Sequence, residues 1–410
     1  MPKETRMGTV NAGSQRYHSV ADLSFLSGKP EEQVLAEAER IGITLKRASV
    51  GDVMLMEDGW RLLTNLNPSS LNCARPGHST ARLIDLIERA IAATELDLSG
   101  LTILTEAATG VYCVTPVIAA MAGATRVHAV AKASRFGSVD EAARCVDHLA
   151  KAAGVAECIS ITDRIPFNEL DSIDILTNSG HLRPITGALI ERLPKIGVVA
   201  LMYEAWEFRP DDLDLAACFQ HGIPVVGVNE RHPSLDVFSY LGELCAHQMH
   251  AAGVCISNNR IALLCDNEFG DPIKAKLEGL GGTVLVIPSV TSIPHSKWDA
   301  IVVALKPTTA PRIGRTEIEH ILSVAPRSAA IIQFWGDVDR SAAFSRGLTV
   351  WPPDPPAAGH MAALLSELGA EPIVRLQTGA LRAAEGIRRG CISSATGIAQ
   401  VVQWNSTEAL

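Results

Sequence analysis

Short apolar runs alternate with segments of helical period over most of this chain. Between residues 100 and 229 the apolar runs fall at 101–105, 126–131, 157–161, 173–177, 197–202 and 223–228, and the stretches between them, such as 138–153, carry apolar residues at helical spacing. From residue 260 the alternation restarts, with runs at 260–265, 283–287, 299–304, 328–333 and 348–351. Each series opens on a strand, a turn with glycine, a helix and a second strand: Leu101 to Val130 in the first, Arg260 to Ile287 in the second. Continuously apolar strands joined by helical crossovers predict parallel sheets covered on both faces. The predicted fold is α/β: two doubly wound Rossmann-like parallel-sheet domains plus a small N-terminal α+β domain.

The first hundred residues read differently. Glu31 to Ile41 predicts a helix opened by Pro30, Val53 to Met56 and Trp60 to Leu63 predict strands around the turn 57–59, and Thr80 to Thr94 sets Leu83, Leu86, Ile87, Ala90 and Ile91 on one helical face. The divisions that follow are 1–97 (a cap or partner-binding domain), 98–232 (first Rossmann-like domain), 233–257 (connecting helix), 258–370 (second Rossmann-like domain) and 371–410 (C-terminal helix and tail). Helices are also predicted at 360–368 and 379–389, after the break at Pro352-Pro-Asp-Pro-Pro356.

Composition narrows the function classes. The net charge of −9 over 410 residues argues against nucleic acid as a partner, which requires a basic face. It leaves a small anionic substrate possible, because local N–H groups and a few arginines can hold an anion. No apolar run is long enough for a membrane helix, and no apolar segment follows Met1-Pro-Lys-Glu-Thr-Arg6 as in a secretory signal. The nine cysteines include no Cys-x-x-Cys pair, and Cys113, Cys158 and Cys265 lie in apolar segments, as reduced thiols of a cytoplasmic protein would.

Candidate chemistry clusters after the strands. Ala108-Thr-Gly110-Val-Tyr-Cys113 keeps glycine at the central place of a dinucleotide loop, with Ala108 and Cys113 small enough to flank it, although Glu106 would repel a phosphate. An ordinary βα turn is the other reading. After the second strand come Lys132, Ser134 and Arg135, with no acid for a ribose diol; these types suit a 2′-phosphate, so NADP is expected over NAD, unless this is only a solvated basic loop. The second domain's turn, Cys265 to Gly270, carries Asp266 and Glu268 and predicts packing or substrate contacts instead. Three further segments mix imidazole or carboxylate with arginine and an aromatic wall: Thr177 to Pro184 (with His181), Tyr203 to Asp212 (with Glu207), and Gln333 to Arg340. Asp211 and Asp212 serve equally as helix caps. The turn Asn229 to Pro233 is a hinge or a site segment. Glu243, His247 and His250 share a helical face, the spacing of metal ligands and also of many solvated faces; no metal is expected. No Gly-x-Ser-x-Gly elbow is present, which disfavours a hydrolase triad.

The stretch 260–370 resembles the cofactor domain of the D-2-hydroxyacid (formate/glycerate) dehydrogenase group. The likeness rests on Trp298 to Ala304, on Ala329 to Arg340 with its arginine-bearing loop, and on Gly359-His360 after Leu348-Thr-Val-Trp-Pro-Pro353. Residues 173–228 have a parallel look. The resemblance implies Arg340 as substrate clamp and His360 as acid/base; His181 and Glu207, from the loops after the strands, are further catalytic candidates. It implies an NAD(P)-dependent oxidoreductase acting on a small carbonyl or hydroxy acid between two Rossmann-like domains; a homodimer is expected separately. A methyltransferase-like enzyme using S-adenosylmethionine and a non-catalytic Rossmann scaffold or sensor are the alternatives.

Overall fold

The computed structural model describes residues 10–12, 15–27, 30–48, 51–55, 58, 62, 76–134, 136–194, 197–390 and 397–403. Its sixteen strands, in chain order, are β1 (Val10–Ala12), β2 (Gln15–Ser19), β3 (Lys46–Ala48), β4 (Gly51–Leu55), β5 (Thr102–Ala107), β6 (Arg126–Ala131), β7 (Ile159–Thr162), β8 (Ile175–Thr177), β9 (Val198–Ala200), β10 (Val225–Val228), β11 (Arg260–Cys265), β12 (Thr283–Ile287), β13 (Ala300–Ala304), β14 (Ala330–Trp335), β15 (Val350–Trp351) and β16 (Ala399–Gln403). They form two compact units, Met1–Asn229 with Leu376–Leu410, and Glu230–Arg375.

The first unit begins with a four-stranded antiparallel sheet of order β1-β2-β4-β3. Helices Val20–Ser27 and Glu31–Arg40 cover it, burying Leu23, Val34 and Ala38 with Met54 and Leu62. The expected strand at 60–63 and the turn before it lie outside the described residues, apart from Asp58 and Leu62. Helix Thr80–Thr94 follows, capped by Ser79, whose side chain accepts from the Arg82 N–H.

The main sheet of this unit has seven strands in the order β16-β10-β9-β8-β5-β6-β7. β5 lies inside the sheet and pairs in parallel with β6 on one side and β8 on the other. That reversal is the topological switch point, where open α/β sheets take their ligands. Crossover helix Val139–Ala152 starts from a reciprocal cap, with Ser138 Oγ accepting from the Glu141 N–H and the Glu141 carboxylate accepting from the Ser138 N–H. β16 alone runs antiparallel, against β10. The tail had given no strand signal, because its pairing is decided by a partner far away in sequence.

The second unit holds a five-stranded parallel sheet of order β12-β11-β13-β14-β15, with its own switch point at β11. Its strands are apolar because both faces are covered: Ile261, Leu263, Val302 and Phe334 point into one core, Leu264, Ile301, Val303 and Ile331 into the other. Helix Tyr240–Ala251 is shorter than the predicted 233–257, since residues 230–239 form turns closed on the Glu230 and His232 carbonyls. It packs closely on helix Gly270–Gly279: a Cβ on Gly242 would lie 2.5 Å from the Pro272 carbonyl oxygen.

Two predicted helices need correction. Of 360–368 only Leu365–Leu368 is helical, as a 3-10 turn, because Gly359 adopts φ +76° and its N–H is held by Asp337. The C-terminal helix runs Glu371–Arg388 and starts well before Gly379. Buried Gln377 and Thr378 interrupt its apolar face and hid the first two turns from a periodicity reading.

Candidate functional site

In the first unit the loops at the carboxyl ends of β9, β8, β5 and β6 bring several flagged residues together. Gly110 follows β5, exposed, at φ +62°, and no atom lies within 4 Å of where a Cβ would stand. It opens the 3-10 turn Gly110–Cys113, which runs into helix Val114–Met121. Ala108 and Cys113 are buried beneath it, and burial pushes the Cys113 thiol up, so it is an inert packing group. Thr109 Oγ1 donates to the Phe136 carbonyl 3.1 Å away, tying this turn to the loop after β6. In that loop Lys132 and Ser134 are exposed, while Ser134 and Gly137 exchange backbone hydrogen bonds. Arg135 lies outside the described residues.

His181 reaches this turn from the far side. It sits in the 3-10 turn Gly180–Leu182 after β8, yet its Nδ1 is 2.9 Å from the Ala107 carbonyl at the end of β5 and 3.2 Å from the Lys132 N–H after β6. One ring nitrogen thus faces an acceptor and a donor. Protonated, Nδ1 donates to Ala107; bare, it accepts from Lys132. The Glu106 carboxylate accepts the His181 backbone N–H at 3.0 Å, which turns that acid toward β8.

The segments Thr177–Pro184 and Tyr203–Asp212 also meet. Asn178, fully buried, donates through Nδ2 to the Tyr203 hydroxyl at 2.8 Å. Arg183 donates to the Asn178 backbone oxygen through Nε (3.1 Å) and Nη2 (2.7 Å), and Nη1 lies 3.3 Å from an Asp212 carboxylate oxygen. Its guanidinium also stands 5.5 Å from the Tyr203 ring centre, and burial pushes the Tyr203 hydroxyl up to about 12. Arg183 is therefore locked in place. Beneath it the Thr177 hydroxyl lies 2.8 Å from that of Thr105 and 2.6 Å from that of Ser179. A groove of about 640 Å³ begins at Pro184, next in sequence to Arg183, and is walled by Ile185, Phe208, Pro210, Leu213 and Leu215 with Asp211 and Asp214. Asp212 is thus an ion-pair partner; the cap of helix Leu215–His221 is Asp214.

Glu207 closes the 3-10 turn Ala205–Glu207 after β9. Burial, with Glu204 nearby, pushes its carboxyl up to about 7. The chain enters this loop through Met202, a non-glycine residue at φ +68°. A backbone strained in this way is found where surrounding contacts hold a functional segment in place.

The second unit treats its flagged residues otherwise. The Asp266 carboxylate accepts the Lys306 N–H at 2.8 Å and pairs with Arg312 at 2.8 Å, and Asn267 Nδ2 donates to the Ala304 carbonyl at 2.7 Å. These bonds tie the end of β11 to that of β13 across the switch point. Phe269 stacks on Trp335 with ring centres 4.8 Å apart. Arg340 donates through Nη1 to the Val350, Pro352 and Pro353 carbonyls and through Nη2 to Gln333, stapling the loop after β15 to β14. Its Nε is buried without a hydrogen-bond partner. His360 is half-buried: its Nδ1 is 3.1 Å from the Ala358 carbonyl, and no bond joins it to Arg340. In the flagged hinge, Asn229 bonds the Gly397 and Ile398 carbonyls in the first unit, and Arg231 pairs with Glu268 in the second.

No group of three His, Cys, Asp or Glu side chains among the described residues could hold a metal ion. Glu243 pairs with Lys276 at 2.9 Å and His247 with Glu367 at 3.8 Å. No helix among the described residues is long and apolar enough to cross a membrane.

No protein-family model matches the chain, and no curated protein matches it. Solved structures do. The chain is similar to a dipicolinate synthase chain of Bacillus halodurans, at 13% identity over 70% of this chain and 97% of that one, with a TM-score of 0.46. It is similar to the pyruvate reductase of Chlamydomonas reinhardtii, at 12% identity over 73% and 98%, TM-score 0.45. It is also similar to a formate dehydrogenase of Staphylococcus aureus described as NAD-dependent and in complex with NAD, at 14% identity over 70% and 94%, TM-score 0.41. The dehydrogenase group that the sequence resembles is thus represented among the matched structures, and at these identities the likeness is one of fold.

Proposed function

We propose that the chain is a nicotinamide-dependent oxidoreductase of a small carbonyl or hydroxy acid, with the first unit carrying the chemistry. The observation that carries this reading is His181, whose ring spans from β8 over the end of β5 to the loop after β6, beside the open Gly110 turn. A ligand lying along this sheet edge would meet, in order, an acid, a fixed arginine, an imidazole, a glycine turn and a lysine.

The residues of the first unit suit a dinucleotide: Gly110 lets the backbone approach a pyrophosphate, and Lys132, Ser134 and Arg135 suit a 2′-phosphate, favouring NADP. The second unit suits one less well, because its turn carries the acids Asp266 and Glu268, which would repel a phosphate, and Asp266 is tied to the Lys306 N–H and to Arg312. The cofactor would supply hydride transfer. His181 would hold or release the substrate's hydroxyl proton at Nε2 while Nδ1–H stays donated to the Ala107 carbonyl, which fixes the ring. Arg183, held by Asn178 and Asp212, would orient the substrate's carboxylate, and the groove beside Phe208 would take its apolar part.

Thermal unfolding with NADP, NAD and S-adenosylmethionine tests this. A nucleotide at 100 times its dissociation constant adds ~2.7 kcal/mol to stability. NADP is expected to stabilise most, Gly110→Val to abolish the gain, and Lys132→Ala to erase the preference over NAD. Stabilisation by S-adenosylmethionine alone would move the protein to the methyltransferase-like class. The Asp266 lock and the Arg340 staple favour one further reading, a non-catalytic scaffold, and that reading wins if none of the three ligands shifts the transition.

A further inference from the structure

A short relay of hydrogen bonds fixes which way one hydroxyl proton points. Arg183 carries donors only, so the Asn178 side-chain atom that its Nε meets at 3.1 Å is the carbonyl Oδ1. This sets the direction of the carboxamide and turns Nδ2 toward Tyr203, whose hydroxyl oxygen accepts it at 2.8 Å. Turning the amide over would set Nδ2 against the Nε–H, donor against donor. Asn178 is fully buried, its backbone N–H donates to the Ala200 carbonyl at 2.7 Å, and its own carbonyl takes Arg183 Nε and Nη2, so neither partner can drift away.

Tyr203 therefore gives Asn178 a lone pair and keeps its O–H for another acceptor. None lies among the described residues. Burial pushes the hydroxyl up to about 12, so the proton stays on the oxygen at neutral pH. The residue is half-buried, and its backbone is fixed from behind: the Val228 N–H donates to the Tyr203 carbonyl at 3.1 Å, and at Gly227 on β10 a Cβ would stand 2.6 Å from the Ala205 nitrogen. The Arg183 guanidinium stands 5.5 Å from the Tyr203 ring centre, and Asn178 and Asp212 take only part of its N–H set. Guanidinium N–H groups and a phenolic O–H are thus left over side by side at the carboxyl ends of β8 and β9, the edge of an open α/β sheet that takes ligands.

We propose that Tyr203 is a substrate-binding residue whose O–H, turned away from Asn178, donates to the substrate's carboxylate beside Arg183. The assignment rests on the reading above and adds an uncharged donor to it. A planar acceptor with two oxygens suits the pair, one oxygen for the guanidinium and the other for the phenol. Asn178 is then a positioning residue: its carboxamide carries the donor polarity of Arg183 into the direction of the Tyr203 proton.

Asn178→Asp keeps the side chain's shape and exchanges the donating Nδ2 for a carboxylate oxygen, so the phenol turns its proton inward. Raman spectra of the full chain without ligand read this, because the ring doublet of tyrosine changes its intensity ratio between accepting and donating phenols. The chain has four tyrosines, and subtracting the spectrum of Tyr203→Phe isolates the one at issue. Tyr203 is expected to show the accepting pattern in the unaltered protein and the donating pattern in Asn178→Asp; the same pattern in both overturns the proposal. Oxamate, an unreactive isostere of a 2-oxo acid, is then titrated onto the NADP-bound chain. Tyr203→Phe is expected to weaken oxamate about tenfold, and to change nothing in the Asn178→Asp background, where the proton already points inward. An equal loss in both backgrounds, or no loss in the first, overturns the proposal. The Raman change without any oxamate binding would keep the outward donor and overturn the oxidoreductase reading.

Discussion

Single side chains decide how this chain's charges behave. Glu207 has an ordinary value of 4.5 and is pushed up to about 7 in the fold. A carboxyl whose folded value lies above its unfolded one stabilises most below the unfolded value and loses that contribution as pH rises through the folded one. Glu207→Gln removes this dependence. Relative to the native chain, the variant should gain about 1–3 kcal/mol between pH 4.5 and 7.5 and nothing more above that. Urea titrations at several pH values check this, and a pH-independent difference would sink it. His128 acts in the same range with the opposite sign: buried in β6 with no hydrogen bond to Nε2, it is held below its ordinary 6.5 by burial, so its contribution is lost as pH falls. Comparing variant with native chain cancels that background.

Elements rather than residues explain how well the fold could be read in advance. The inner strands of both sheets are largely apolar because both faces are covered, and their positions followed from runs such as Arg126–Ala131 and Arg260–Cys265. Helix Thr80–Thr94 was legible from its one-sided helical period, with Leu83, Leu86 and Ile87 buried. Contacts between distant segments were not legible. Nothing in Thr177–Pro184 says that Arg183 will be fixed by Asn178 and Asp212, and nothing around Arg340 says that its guanidinium will be taken by backbone carbonyls. The Gly227 contact belongs here too. With 2.6 Å to the Ala205 nitrogen and 3.0 Å to the Tyr203 oxygen, Gly227→Ala forces β10 and the loop after β9 apart. A loss of roughly 1–3 kcal/mol is expected in chemical denaturation. A Gly227→Ala variant of full stability would mean that the loop shifts at no cost.

At the scale of the molecule, the first unit is assembled from both ends of the chain. Helix Glu371–Arg388 anchors to it through Arg388, which donates twice to Asp174, while Asp174 also accepts the Thr102 N–H at the start of β5. β16 then covers the edge of β10 and supplies Gln400 to the acid-bearing loop. Deleting residues 391–410 should leave β10 as a bare edge strand, broaden the unfolding transition and promote self-association, measurable by sedimentation velocity alongside circular dichroism. A truncated chain that stays monodisperse and melts as sharply as the full one would show that β16 is dispensable.

The return of β16 also sets a timetable for synthesis. β10 ends at Val228 and its outer neighbour begins at Ala399. A ribosome working at ~5–20 residues per second needs roughly ten to thirty seconds to travel between them. Throughout that interval the nascent chain carries an incomplete sheet, while the 230–375 unit emerges whole and is free to finish first. The half proposed to do the chemistry is therefore completed last, only after its closing strand has cleared the exit tunnel.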